Sequence, residues 1–376
     1  MVGGAISSNF PKVLSVAYSP TKISTDAATV VPYEYKAPTS FIYVSTSGNN
    51  ANAGTAAAPM KTIQAAVNKA KPGTAVMVKE GVYSESVKVG VSGTADKPIW
   101  IASADGLGKA DIKVPAGKQG FYSYGADNII LKGFEIIGGA EGVKVTQGGN
   151  TLTNFATNWV IEQNITRGQT TDGIKTAQTV NSAVTGNRVA GVRGEEGIDN
   201  VYMRNGIIAH NSVSDVVGLS GIVAKAGSQN VKILDNKVSG VPDGILVGGF
   251  ATNQGSTWPS TLKYQALKFT VEGNDVDAAK RAVNAYGAKD SVIKANDLYT
   301  SNGAVVNVST DNLGYTSSGI QIINNDVSKA SWLTAKAGSV SVNTGNSATT
   351  VANISDTGPD GLTLVGVSAS TFDTMG

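Results

Sequence analysis

The chain has 376 residues, among them 45 Gly and no Cys, and carries a formal net charge of +2. That balance gives no general attraction to nucleic acid, the lack of cysteine excludes a disulfide framework, and no run of about 18 apolar residues is present to span a membrane. Only 8 Phe stand against many Val, Ile, Asn, Ser and Thr, a composition of strands and turns rather than helices. A chain this long would ordinarily hold more than one domain of about 100–200 residues. A repeat architecture escapes that rule, because each repeat buries its apolar face on its neighbours.

Residues 1–38 show no period and are expected to form an extended arm. The opening MVGGAISSNF lacks the basic and apolar segments of a signal peptide. Met1 is read as a start placed on a mature segment, and the chain as secreted. From Thr62 the first sharp pattern begins. Ile63, Ala66, Val67 and Ala70 have the spacing of a one-faced helix. Pro72-Gly73 stops it, and Ala75 to Val78 read as a strand leading to Gly81-Val82-Tyr83. A short amphipathic helix at this point would cap the open end of a stacked core. The run resembles the N-terminal cap of the pectin-lyase-like β-helix superfamily.

A repeat follows. Asn164, Asn187, Asn211, Asn236, Asn274, Asn296 and Asn325 each precede an aliphatic residue by one or two positions, at spacings of 23, 24, 25, 38, 22 and 29. A coil of about 22–25 residues fits three short strands and three turns, which predicts an all-β, single-domain right-handed parallel β-helix with a helical cap. The long intervals place insertions near Phe250–Gln265 and Ser309–Ser318. The asparagines are expected to stack in register, their amides bonding turn groups that would otherwise be buried unpaired. A second column, Gly142, Gly173, Gly197, Gly221, Gly244 and Gly303, opens another strand in each coil. The pattern fades after about 330, giving an arm over 1–38, the helix over 39–335, and a C-terminal cap and tail over 336–376.

Outward residues on one face of such a helix line a long shallow groove suited to an extended polymer. Ile222 and Ala224 alternate inward, leaving Val223 and Lys225 outward. In the preceding coil Val201 and Met203 are expected inward, with Asn200, Tyr202 and Arg204 outward, and Lys175 adds a cation one coil further back. With coils about 4.8 Å apart these five can share a patch, unless the register slips by one residue. Cations and amide donors against a uronate carboxylate stabilise the enolate formed when its α proton is removed. A Lys or Tyr beside other cations can be the base, and Tyr202 can protonate the leaving oxygen. Such a patch suits β-elimination on an acidic polysaccharide.

The segment Lys225-Ala226-Gly227-Ser228-Gln229-Asn230 resembles the K-[S/A]-x-x-N segment of the β-helical lyases acting on alginate and dermatan sulfate. That resemblance implies Lys225 as the base, an arginine on a nearby coil, and alginate as the substrate. Two departures stand out. Gly218 and Ser220 occupy the places of the acids that hold Ca²⁺ in that group, and no arginine lies between Arg204 and Arg281. Calcium is therefore not favoured and no cofactor is expected, with Lys175, Asn200 and Arg204 taking its part.

Trp258 and Tyr264, in the first insertion, are placed to stack on a sugar at the groove edge. Glu195, Glu196 and Asp199 form an acidic cluster beside the groove whose oxygens could bind Ca²⁺, but the favoured reading is a solvated turn, and His210 reads as a turn residue before Asn211. A C5-epimerase, a glycoside hydrolase using Asp172, Asp199 or Asp243, and a glycan-binding solenoid without activity are the rival readings. No membrane partner is expected, and the chain is expected to act as a monomer.

Overall fold

The computed structural model describes residues 36–149, 152–251 and 253–348. The expected arm thus lies outside the described residues except for 36–38, and the expected tail does so beyond 348. The segment from 336 onward still carries two strands, Val340–Thr344 and Ser347–Ala348.

Every strand pairing between successive coils is parallel. One sheet runs through twelve coils, from Ser40–Val44 through Thr74–Val78 and Ile99–Ser103 to Ile320–Ile323 and Val340–Thr344. Its inward column is a stack of β-branched and aliphatic residues in register: Val76, Ile101, Leu131, Ile161, Val184, Ile208, Ile233, Val271, Ile293 and Ile322. All are buried to within 1%. The architecture is a parallel β-helix. Among the described residues no helix is long and apolar enough to cross a membrane.

The capping helix forms where the sequence places it, over Ile63–Lys69. The Thr62 side chain accepts from the amide of Ala65, and the Glu85 carboxylate accepts from the amides of Ile63 and Gln64, so the exposed first turn is satisfied. Ile63, Ala66 and Val67 face inward over the first coil.

All seven predicted asparagines are buried, and they form one continuous ladder. Asn187 Oδ1 accepts from the backbone and side-chain nitrogens of Asn164, Asn211 from those of Asn187, and Asn236 from those of Asn211. Each side-chain amide also donates to a strand-end carbonyl, as Asn236 does to Ile208 at 2.9 Å. The ladder gains an eighth member, Asn346, which accepts from Asn325. The glycine column is a close approach between coils: a Cβ on Gly197 would sit 2.6 Å from the carbonyl of Gly221. Gly303 is not in it, since the pairing of Val283 with Val306 puts Ala282 and Val305 at those places.

Both insertions lie where the long intervals put them. Together with Phe155 and Tyr202 they build a second apolar cluster beside the helix, containing Trp258, Ala177, Val201, Ala226, Leu313 and Tyr315. This cluster stands along one edge of the sheet face that carries Lys225.

Candidate active site

The strands Val143–Thr146, Ile174–Ala177, Glu196–Val201, Ser220–Lys225, Lys237–Gly248 and Asp275–Tyr286 lie side by side. Their inward column is Val143, Ile174, Ile198, Ile222, Ile245 and Val283, all fully buried. Two residues before each of these, the chain presents Glu141, Asp172, Glu196, Ser220, Asp243 and Arg281. One residue after, it presents Lys144, Lys175, Asp199, Val223, Leu246 and Asn284. The face is thus ruled into columns of outward groups at the coil spacing, about 4.8 Å.

Where these columns cross the coils of Ile174, Ile198 and Ile222, charge concentrates. Lys175 Nζ donates to Asp172 at 2.9 Å and to Asp199 at 2.6 Å. Lys225 Nζ donates to Glu196 at 2.8 Å and lies 3.1 Å from the other oxygen of Asp199. Asp199 and Asp172 are fully buried and Glu196 nearly so, so the predicted solvated turn is corrected: only Glu195 is exposed there. Burial outweighs solvation because both lysines close over the carboxylates.

The ionisation follows from those contacts. Burial, then repulsion from Asp199, raises Glu196 to about 8 against the pull of Lys225. Burial and Asp199 also raise Asp172, whereas the two lysines overcome burial and lower Asp199. Burial alone would lower Lys175 and Lys225, but their acid partners outweigh it, and both are raised. Both lysines are therefore ammonium ions as the structure stands. Because folded Glu196 holds its proton more tightly than the unfolded residue, its contribution to stability falls as pH rises from 4.5 to about 8. Thermal melts in chelator are expected to show Tm dropping across that window and the slope flattening in Glu196→Gln. An equal slope in the variant would refute the assignment.

Asp172, Glu195 and Glu196 each offer an oxygen, all within 4.8 Å of one another. Glu196 Oε2 is buried without a hydrogen-bond partner, and so is Ser220 Oγ on the next coil. An all-oxygen set with an unpaired buried carboxylate oxygen fits a hard divalent cation such as Ca²⁺. In register with Ser220, one coil earlier, stands the acid Glu196.

Of the sequence-derived patch, the structure brings together Lys225 and Lys175 and separates the rest. Asn200 pairs in register with Ala224 and faces inward, where its Oδ1 accepts from Thr176 and its Nδ2 donates to the Val223 carbonyl. This is the one-residue slip that flips a strand's faces. Tyr202 and Arg204 fail for another reason. The strand ends at Val201, Tyr202 adopts a left-handed φ of 53°, and Arg204 begins a strand of the other sheet. Alternation cannot be carried through such a turn. Tyr202 packs against Phe155, and the Arg204 guanidinium lies 4.1 Å over the same ring. Trp258 is fully buried against Tyr315 in the side cluster, so it offers no face to a sugar. Tyr264 is half-buried, and its pKa is raised by burial and then by Tyr202.

The sequence reading took the acids beside the lysines for a solvated turn and missed a second network on the two coils beyond Lys225. There Arg281 Nε and Nη2 donate to the two oxygens of Asp243 at 2.7 and 2.9 Å, and Nη1 donates to the Tyr286 hydroxyl at 2.9 Å. A carboxylate two residues before the strand's inward aliphatic, as in Asp172-Gly-Ile, Glu196-Gly-Ile and Asp243-Gly-Ile, was the available signal.

Residues 42–185 match the family described as the Pel9A-like, right handed beta helix region. A stretch of 59 residues is 46% identical to the uncharacterized protein YwoF of Bacillus subtilis (strain 168), covering 16% of this chain and 13% of that protein. Among solved structures, a rhamnogalacturonan lyase superposes with a TM-score of 0.58 at 16% identity over 81% of this chain and 84% of its own. The pectate lyase Pel9A gives 0.54 at 17% identity over 84% and 80%. An alginate lyase from Paenibacillus sp. str. FPU-7 gives 0.54 at 16% identity over 80% and 99%. The coil topology, the capping helix and these superpositions agree on the architecture: the chain is a right-handed parallel β-helix, and over residues 42–185 it matches the Pel9A-like region of that fold.

Proposed function

We propose that the chain is an extracellular, monomeric polysaccharide lyase that cleaves a uronate-bearing polymer by β-elimination, with Lys225 as the base. The observation that carries this reading is the placement of Lys225 and Lys175 on one groove face around buried carboxylates that include an unpaired Glu196 oxygen. In an elimination the base takes the proton α to the carboxylate, a C4–C5 double bond forms, and the bond to the 4-oxygen breaks. That proton is weakly acidic while the carboxylate keeps its charge, so a positive group must face it.

A divalent cation held by Asp172, Glu195 and Glu196 would supply that charge and acidify the proton. Lys225 answers to the same acids. With Glu196 turned to a cation, one of the two carboxylates that raise the lysine pKa would be lost and the positive charge nearby would repel its ammonium, both of which act with burial toward the neutral amine needed of a base. Asp199 stays bonded to Lys175 and fixes the position of Lys225. Where the proton and the 4-oxygen leave from the same face of the ring, the ammonium formed at Lys225 would protonate the departing oxygen. Tyr202, packed under Phe155, is not required.

Alginate heads the substrates to be tried because of the Lys225 segment and the superposition on an alginate lyase, followed by pectate. The hydrolase reading is weaker, since Asp172 and Asp199 are buried beneath Lys175 and cannot flank a sugar bond. The deciding experiment follows the ultraviolet absorbance of the unsaturated product with and without chelator. The signal is expected to rise with Ca²⁺ and to fall at least about tenfold with chelator, as loss of a metal contribution implies. A flat trace on every uronate-bearing polymer, those alternating uronate with neutral sugar included, would overturn the lyase reading in favour of a glycan-binding solenoid.

A further inference from the structure

Beyond Lys225 the groove changes character. Gly249 lies directly against the lysine stem: a Cβ added there would sit 3.4 Å from Lys225 Cβ and 3.5 Å from its Cδ. Phe250 follows this glycine in the chain. Its ring packs on Tyr286 at 4.5 Å, yet 52% of the residue remains exposed while Tyr286 beneath it is buried. A single exposed apolar side chain is ordinary on a protein surface; this one is backed by a second aromatic and follows directly on the glycine that touches the Lys225 stem. An aromatic face so placed suits the C–H face of a pyranose ring.

The polar groups around that ring are electrically balanced. Asp243 takes Arg281 in a two-bond fork, the Tyr286 hydroxyl takes a further guanidinium donor, Asn284 donates to Asp243, and Asn307 donates to Asn284. The other cations of this face are matched in the same way, Lys144 by Glu141 at 2.6 Å and Lys175 by two acids. A second uronate carboxylate arriving here would find no spare positive charge and would face Asp243. Desolvating it would cost more than the site returns. An uncharged ring has no such penalty. Its hydroxyls can pair with the amide of Asn307 and with guanidinium N–H groups that Asp243 and Tyr286 leave over.

We propose that Phe250, Tyr286 and the Arg281–Asp243 pair form a subsite for an uncharged sugar ring adjoining the uronate held at Lys225. The inference rests on the lyase reading and narrows it: a polymer that alternates uronate with an uncharged sugar is preferred over alginate and pectate, which carry a charge on every ring and are the first trials of the reaction type only.

The test compares two hexasaccharides, one alternating a uronate with an uncharged hexose and one built of uronate alone, on the wild type, Phe250→Ala and Asp243→Asn. The wild type is expected to show the higher kcat/KM on the alternating substrate. Phe250→Ala should raise KM for that substrate about tenfold, with most of the loss in KM, as removal of ground-state binding implies. Asp243→Asn frees the Arg281 charge and should shift preference toward the all-uronate substrate by about tenfold. Preference for the all-uronate substrate in the wild type, or an unchanged KM in Phe250→Ala, would overturn the proposal. If neither substrate yields unsaturated product, the lyase reading fails by itself and calorimetry with the same two compounds decides the subsite. Tighter binding of the alternating one, lost in Phe250→Ala, upholds it; equal binding refutes it.

Discussion

Replacing Lys225 with alanine is expected to lower product formation by about three orders of magnitude, within the range of a lost general base. Arginine at the same position should be nearly as inactive, because it preserves the charge and the pairing with Glu196 and Asp199 but cannot give up its proton at the working pH. The pair of variants separates chemistry from support. Lys225→Ala also strips Glu196 of its hydrogen-bond donor and leaves Asp199 to Lys175 alone. Its Tm should therefore fall, most of all above the pH at which Glu196 ionises, about 8. Lys225→Arg should keep the wild-type Tm. Activity above about a tenth of the wild type in Lys225→Arg would remove the lysine from the role of base.

The second large effect concerns stability. Asn236 sits at the middle of the buried ladder: its Oδ1 accepts two bonds from Asn211, and its amide donates to Ile208 and Asn274. Alanine there leaves the Asn211 amide and the Ile208 carbonyl buried without those partners. At about 1–3 kcal/mol for each unsatisfied group the cost is roughly 3–5 kcal/mol, read as a shift of the urea midpoint. The comparison is Asn205, an exposed member of an outer row in which Asn230 donates to Asn205 and Asn205 to Asn181. Asn205→Gly keeps the left-handed backbone of that position and should cost less than about 0.5 kcal/mol. Equal costs at the two sites would mean that burial does not set the ladder's contribution.

The sequence made the coil legible because its most constrained residues recur in register. The asparagines must bond one another, so their spacing survives two insertions, and the inward aliphatics follow from it. The capping helix was legible for the ordinary reason that an apolar stripe, a Thr cap and a Pro-Gly stop agree. The site was harder to read because it is made by neighbouring coils and not by neighbouring residues. Lys225 and Lys175 were found as outward cations. The acids that hold them, Asp172, Glu196 and Asp199, look like turn residues until the coils are stacked and the lysines close over them. Tyr202 and Arg204 show the opposite failure: strand alternation was carried past a left-handed turn that no glycine announces. Trp258 shows a third, since an aromatic in an insertion serves as its anchor as readily as it meets a ligand. Phe250, at the start of the same insertion, is the one that stays exposed.

The glycine column has a consequence for how such a face changes over time. Each outward residue at 141, 172, 196, 220 and 243 is followed at once by a glycine whose missing side chain lets the coils close to contact distance. Spacing is thus fixed by a residue that has no chemistry, and chemistry is carried by a neighbour that does not fix spacing. The column behaves as a ruler with interchangeable teeth. One coil can trade an acid for a serine, as Ser220 stands between Glu196 and Asp243, while the separation between rungs stays the same. Specificity on this scaffold can therefore be rewritten one tooth at a time.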